Sequence, residues 1–261
     1  MLGDPRLPRN LKLTLAYDGH DFAGWQVQPD QLSVQGTLVS AFEHLTGEKT
    51  LPQGSGRTDA GVHALAQTAS VIIESPIPVA NLVRALNSVL PRSIRVIAAE
   101  EVPLEFHARR SAIAKTYRYH IYRGAICSPF QARYVYHHPY PLDESRMIEA
   151  GALVEGEHDF TSFAAVDPER GKDRSKDGLE INNVRTIFQS TWQRQDDELI
   201  YTVRGSGFLH HMVRNLVGTF LMVGKGSLTV ADVRRILELR DRSAAAATAP
   251  ASGRFLVSVE Y

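Results

Sequence analysis

The chain of 261 residues has one cysteine, Cys127. An intrachain disulfide and a cysteine-ligated zinc cluster are both excluded, and a reducing cytoplasm is the expected compartment. Apolar runs are short as well. None approaches the roughly 20 consecutive residues that span a bilayer, so no membrane partner is expected. The N-terminal stretch MLGDPRLPRN lacks the apolar run of a secretory signal. Net charge is also missing, because 29 basic residues balance 29 acidic ones. That removes the uniformly basic surface of many polyanion binders. His137-His138 and His210-His211 are adjacent in sequence, not at the i, i+4 spacing of a zinc helix, so no metal is expected. The hydrophobic fraction of 43% is ordinary and fills the core of one large domain or two small ones.

What is present is unevenly spread. Residues 106–142 contain no Asp or Glu, yet Arg109, Arg110, Lys115, Arg118, Arg123 and Arg133 all fall there. Tyr117, Tyr119, Tyr122, Phe130, Tyr134, Tyr136 and Tyr140 are interleaved with them. Cations for phosphates beside aromatics for unstacked bases are what looped RNA calls for. The same composition also describes a β-hairpin with one solvated basic face.

Periodicity places the elements. Residues 11–17 alternate as a strand that ends at Asp18-Gly19. Ser33 caps a helix to about Leu45, with Leu38, Phe42 and Leu45 on one stripe and Gly47 as its stop. Strands follow at 67–74, 94–102 and 115–123, with a helix over 78–90. Alternation in the last strand puts Tyr117, Tyr119 and Ile121 on one face and Arg118, His120 and Tyr122 on the other. In the second half, 143–155 is a helix, 158–163 a connector and 164–183 a polar surface loop. Residues 184–194 and 198–204 form a hairpin. A helix over 208–223 turns Leu209, Met212, Val213, Leu216, Phe220 and Val223 inward. Thr229 caps a helix to Leu239, 243–251 is an alanine-rich loop, and 255–261 closes the chain as a strand. The pattern is α+β. It predicts two pseudo-duplicated halves, 1–108 and 109–261, with antiparallel sheets flanked by helices and an active-site cleft between them.

The densest chemical signal is the run from Gly54 to Ala64, Gly-Ser-Gly-Arg-Thr-Asp-Ala-Gly-Val-His-Ala. Its glycines let the backbone turn tightly and a ligand approach closely. Arg57 and Asp59 lie two apart, and a nearby guanidinium favours an ionised carboxylate usable as a nucleophile or charge stabiliser. Read without context, Asp59 is most often just a turn residue. The run lacks the Gly-Lys-Ser/Thr of a Walker loop, the third glycine of a dinucleotide fingerprint and the spacing of a hydrolase elbow. Arg214, four residues after His210 and opposite the apolar stripe, is either a surface arginine or a site residue.

Taken together, these segments resemble the TruA family of tRNA pseudouridine synthases. The blocks are Tyr17-Asp18-Gly19, Gly24-Trp25-Gln26, Gly56-Arg57-Thr58-Asp59-Ala60-Gly61-Val62-His63-Ala64, Phe106-His107-Ala108-Arg109 and Lys115-Thr116-Tyr117-Arg118-Tyr119. The second half adds His158-Asp159-Phe160, Val184-Arg185-Thr186-Ile187, Gly207-Phe208-Leu209 and Met212-Val213-Arg214-Asn215. The resemblance runs over essentially the whole chain and implies a pseudouridine-synthase-like fold. It puts Asp59 at the catalytic aspartate, Tyr117 at the tyrosine that packs on the target base and Arg214 at the basic partner of the aspartate. Arg57 matches the arginine that helps hold the flipped nucleotide's vacated space or its phosphates. Arg109, Arg110, Lys115 and Arg118 are further expected substrate contacts. The resemblance further implies a homodimer that uses neither cofactor nor metal. Its substrate is tRNA, isomerised at uridines 38, 39 and 40 of the anticodon stem-loop. Gly253-Arg254-Phe255-Leu256 departs from the family, which usually has leucine where Arg254 stands. Two other classes compete: an RNA-binding module without catalysis, and a nucleotide-binding enzyme that uses residues 54–61 as a phosphate loop.

Overall fold

The computed structural model describes residues 7–166 and 182–261. In chain order the elements begin with β1 (Arg9–Tyr17), α1 (Val34–Thr46), β2 (Gln53–Gly54), β3 (His63–Ile73), α2 (Val79–Val89) and β4 (Ile94–Val102). They continue with β5 (Ala114–Tyr122), β6 (Tyr136–His137), α3 (Glu144–Ala152), β7 (Gly156–Asp159), β8 (Val184–Gln195) and β9 (Glu198–Gly205). Last come α4 (Met212–Gly224), α5 (Val230–Leu239) and β10 (Arg254–Glu260). There are two compact units, Met1–Lys115 with Phe255–Tyr261, and Thr116–Arg254.

In the first unit β1 pairs antiparallel with β3 on one side and β4 on the other. Its alternation buries Leu11, Leu13, Leu15 and Tyr17, the period-2 pattern of a strand facing a core. Helix α1 supplies Leu38, Ala41 and Phe42, and α2 supplies Leu82 and Leu86. Ser33 caps α1 by accepting the Gly36 N–H, and Gly47 ends it in the left-handed region. Strand β4 is an edge whose Glu100 and Glu101 carboxylates pair with Lys12 and Arg9 at 3.0 and 3.1 Å. Such charges blunt an edge against further pairing. The closing segment joins β3 in parallel, Phe255 opposite His63 and Leu256 opposite Ala64.

In the second unit the strand order is β5-β9-β8-β7, with β6 on β5. Trp192, Tyr201 and Phe220 form its aromatic centre, with ring centroids 4.8, 5.4 and 6.1 Å apart. Each such pair adds about 0.5–1.5 kcal/mol beyond its area. Complete burial pushes the Tyr201 phenol up, and its hydroxyl is satisfied by Ser190 Oγ at 2.8 Å. Thr229 and Asp232 close a capping box on α5. No helix among the described residues is long and apolar enough to cross a membrane.

Three expectations need correction. The hairpin alternative for 106–142 does not hold, because β6 runs parallel to β5. The segment 158–163 is more than a connector. Its start is β7, paired with β8, and Thr161–Phe163 is a 3-10 turn whose Thr161 N–H donates to the Asp159 carboxylate at 3.0 Å. The helix predicted over 208–223 begins only at Met212, because His211 takes the left-handed φ of 57° and ends a turn there. The surface loop expected at 164–183 falls largely outside the described residues.

Candidate active site

The loop between β2 and β3 carries Asp59, and sheet residues fasten it. Ser55 N–H donates to Thr68 O at 2.7 Å and Ser55 Oγ to Gln67 Oε1 at 2.6 Å. Gln67 Nε2 donates in turn to Gly56 O at 2.9 Å. The Tyr17 and Thr58 hydroxyls share a hydrogen bond of 2.8 Å. Trp25 N–H donates to Thr58 O at 3.0 Å, and Val62 N–H closes the turn on Asp59 O at 3.1 Å. Asp59 is half-buried within this frame.

Two of the glycines make room for neighbouring side chains. A Cβ on Gly54 would lie 2.6 Å from the Trp25 ring, and one on Gly56 would lie 3.2 Å from Lys115 Nζ. Only Gly61 of the three has a positive φ, 76°. Its N–H donates to Phe22 O at 3.3 Å.

A pocket of about 320 Å³ in the first unit brings together Arg57, Arg109 and Arg110 beside His107, Trp25 and Gln35. Three guanidiniums without a carboxylate in the lining make an anion-binding surface. The turn that presents two of them is pinned from three sides. Ala108 N–H donates to Ser70 Oγ at 3.1 Å, Tyr261 Oη donates to Ala108 O at 2.8 Å, and Ile113 N–H donates to Glu260 O at 2.8 Å. Burial pushes the Tyr261 phenol up to about 12. His107 Nδ1 accepts the N–H groups of Arg109 and Arg110 at 3.1 and 3.4 Å. Burial first, then the Arg110 and Arg109 charges, lower the pKa of this imidazole.

That depression has a measurable sign. Below the ordinary histidine value of about 6.5 the unfolded chain binds a proton that the folded His107 resists, so stability rises with pH in that window. His138, whose pKa burial also lowers, acts in the same direction. The melting temperature should therefore fall as pH drops from 7.5 to 5.5, and less steeply in His107→Asn, whose amide oxygen can still accept the turn N–H groups. An equal slope in the variant would remove His107 from this balance.

The remaining expected residues divide. In the first unit the Lys115 ammonium donates to Ser55 O at 2.6 Å and clamps the Asp59 loop. In the second unit Tyr117 is buried, with the ring of Phe208 edge-on at 5.0 Å and the Arg254 guanidinium carbon 4.4 Å from its ring centroid. Arg254, 3% exposed, thus lies beside the very tyrosine expected to meet the base. Arg118 is exposed on the opposite face of β5. Arg214 stands in the first turn of α4 and donates from Nε to Ala249 O at 2.7 Å. Sequence reasoning missed Trp25 as a pocket wall and left Arg254 outside the site; the glycine at 54, small enough for an indole, was the available signal for the first.

The family model described as tRNA pseudouridine synthase matches residues 14–109 and 150–261. A protein named tRNA pseudouridine synthase A from Solibacter usitatus (strain Ellin6076) is 53% identical over 253 residues, covering 97% of this chain and 100% of the relative. Proteins of the same name from Latilactobacillus sakei subsp. sakei and Lacticaseibacillus casei are 42% and 44% identical. They cover 98% and 96% of this chain and 100% and 98% of their own lengths.

Proposed function

The chain belongs to the tRNA pseudouridine synthase family, and from that membership we propose that Asp59, Tyr117 and Arg214 isomerise uridines 38, 39 and 40 of the tRNA anticodon stem-loop. The observation that carries this reading is a half-buried carboxylate on an immobilised loop, in the same unit as a pocket of three guanidiniums.

The reaction is an isomerisation. The C1′–N1 bond breaks, the uracil turns, C1′ rejoins at C5, the C5 proton leaves and N1 gains one. Oxidation state is conserved overall, so the chemistry requires no cofactor. A stacked uridine hides these atoms, and extruding it costs a few kcal/mol. Phosphate contacts from Arg57, Arg109 and Arg110 offset that cost and set the register of the RNA. The Asp59 carboxylate then adds to the sugar or the base, or stabilises the cation-like sugar as the bond breaks. Family membership gives Arg214 the role of basic partner to the catalytic aspartate. Tyr117 packs on the uracil, the Arg254 cation fixing its ring. The protein acts as a cytoplasmic homodimer.

Incubating the protein with unmodified tRNA and mapping pseudouridine tests the assignment. Pseudouridine should appear at positions 38, 39 and 40 and nowhere else; modification confined to another arm would overturn it. Tyr117→Phe should lose less than about tenfold in turnover, well short of the roughly 10²–10⁴ that a general acid or base contributes. Tritium release from tRNA labelled at uridine C5 measures this. A variant as inactive as one lacking the Asp59 carboxylate would make the hydroxyl essential.

A further inference from the structure

Residues 244–251 of the second unit are nearly all small, Ala-Ala-Ala-Ala-Thr-Ala-Pro-Ala. Such a segment has little apolar bulk with which to fix its own path. It nevertheless lies directly on α4. A Cβ added at Gly218 would fall 2.0 Å from Ala247 O, and Ala246 N–H donates to Thr219 Oγ1 at 3.3 Å. The segment ends on a two-way clamp with Arg214: Ala249 N–H donates to Arg214 O at 3.1 Å, and Arg214 Nε donates to Ala249 O at 2.7 Å. The Ala249 carbonyl is therefore one anchor of the Arg214 guanidinium.

One side chain gathers the segment. Arg242 Nη1 donates to Ala245 O and Ala246 O at 3.2 and 3.1 Å. Its Nη2 donates to Asn215 Oδ1 and Thr248 Oγ1 at 3.1 and 3.3 Å. Thr248 Oγ1 donates to the same Asn215 oxygen at 2.7 Å, and the buried Asn215 is itself fixed by donating to Phe163 O at 2.7 Å. Asn215 is the residue after Arg214 on α4, so the fork reaches both ends of the clamp.

We infer that Arg242 is a positioning residue for catalysis, fixing through Thr248 and Asn215 the Ala249 carbonyl that orients Arg214. This rests on the reading that Arg214 serves Asp59. A planar guanidinium spans acceptors in two directions, whereas a lysine ammonium is a point donor on a flexible stem and cannot hold all four. Arg242→Lys therefore keeps the charge and removes the geometry. A side chain misplaced by about 1 Å costs on the order of 10²-fold in rate.

The test is a double-mutant cycle on the full-length protein, read by tritium release from C5-labelled tRNA, with kcat and KM separated and folding followed by thermal melts. Arg242→Lys should lower kcat about 10- to 100-fold and move KM for tRNA by less than about twofold. Thr248→Val, which keeps the arginine, should lower kcat in the same direction by less. In an Arg214→Ala background, itself impaired, adding Arg242→Lys should change kcat by less than about twofold, because the effect has lost its carrier. A full further loss in that background would show that Arg242 acts on the fold at large and would overturn the inference, as would a wild-type kcat for Arg242→Lys. A wild-type kcat for Arg214→Ala would sink the role given to Arg214 and the inference with it.

Discussion

Asp59→Asn should bind tRNA within about twofold of the parent and release no measurable tritium from C5-labelled tRNA, a loss on the order of 10⁴ or more. The two side chains have nearly the same shape, so the effect is one of charge and nucleophilicity. Ser55 N and Oγ, the Thr58 carbonyl and hydroxyl, the Asp59 carbonyl and the Gly61 N–H all anchor the loop and are retained in the variant, which should keep the fold. Turnover above about 1% of parent would show that the carboxylate is dispensable. A loss of tRNA binding in step with turnover would move Asp59 from chemistry to recognition, the outcome expected of an RNA-binding module.

Gly24→Ala carries the second large effect, although residue 24 lies 35 positions from Asp59 in sequence. Gly24 has a φ of 105°, a region that an L side chain enters only under strain. The added Cβ would sit 2.5 Å from Thr58 O and 3.1 Å from the Asp59 carbonyl carbon. Neither is the tip of a flexible side chain, so the backbone beside the carboxylate must move. Together these costs put the destabilisation at about 2–4 kcal/mol. They also displace Asp59 enough to lower kcat by about 10²-fold. Chemical unfolding measures the first and single-turnover kinetics the second. Parent-like kcat in a destabilised Gly24→Ala would uncouple the Gly24-Trp25 turn from the catalytic loop.

Local pattern was legible where one residue type does one local job. Ser33 and Gly47 bracket α1 because a hydroxyl cap and a left-handed stop are short-range requirements. The 94–102 strand has the bounds expected of it, and Tyr117, Tyr119 and Ile121 are buried as their alternation predicts. Thr229 caps α5 for the same local reason. Strand direction was not legible, since alternation reads the same up or down a sheet; the parallel β5/β6 and β3/β10 pairs show this. The late start of α4 depends on a histidine with positive φ, which carries no sequence mark.

At the site, glycine density singled out the Asp59 loop, and the acid-free run singled out Arg109 and Arg110. Charge alone did not reveal that Lys115 reaches Ser55 O or that Arg118 lies on the face of β5 opposite Tyr117. The Arg242–Asn215–Thr248 node joins residues 27 and 33 positions apart and leaves no periodic trace.

The hydrogen bonds that fasten residues 55–62 tie the loop to Tyr17, Gln67 and Thr68 on the two central strands of their unit. A backbone secured in this way is a poor gate. Its organisation was completed when the sheet formed, so reaching the transition state demands little rearrangement of the protein dipoles around the carboxylate. The conformational travel in each turnover then falls on the nucleic acid, which must swing its nucleoside to a stationary acid. On this view, how readily the RNA unstacks, more than any protein motion at this loop, sets how fast one site is served compared with another.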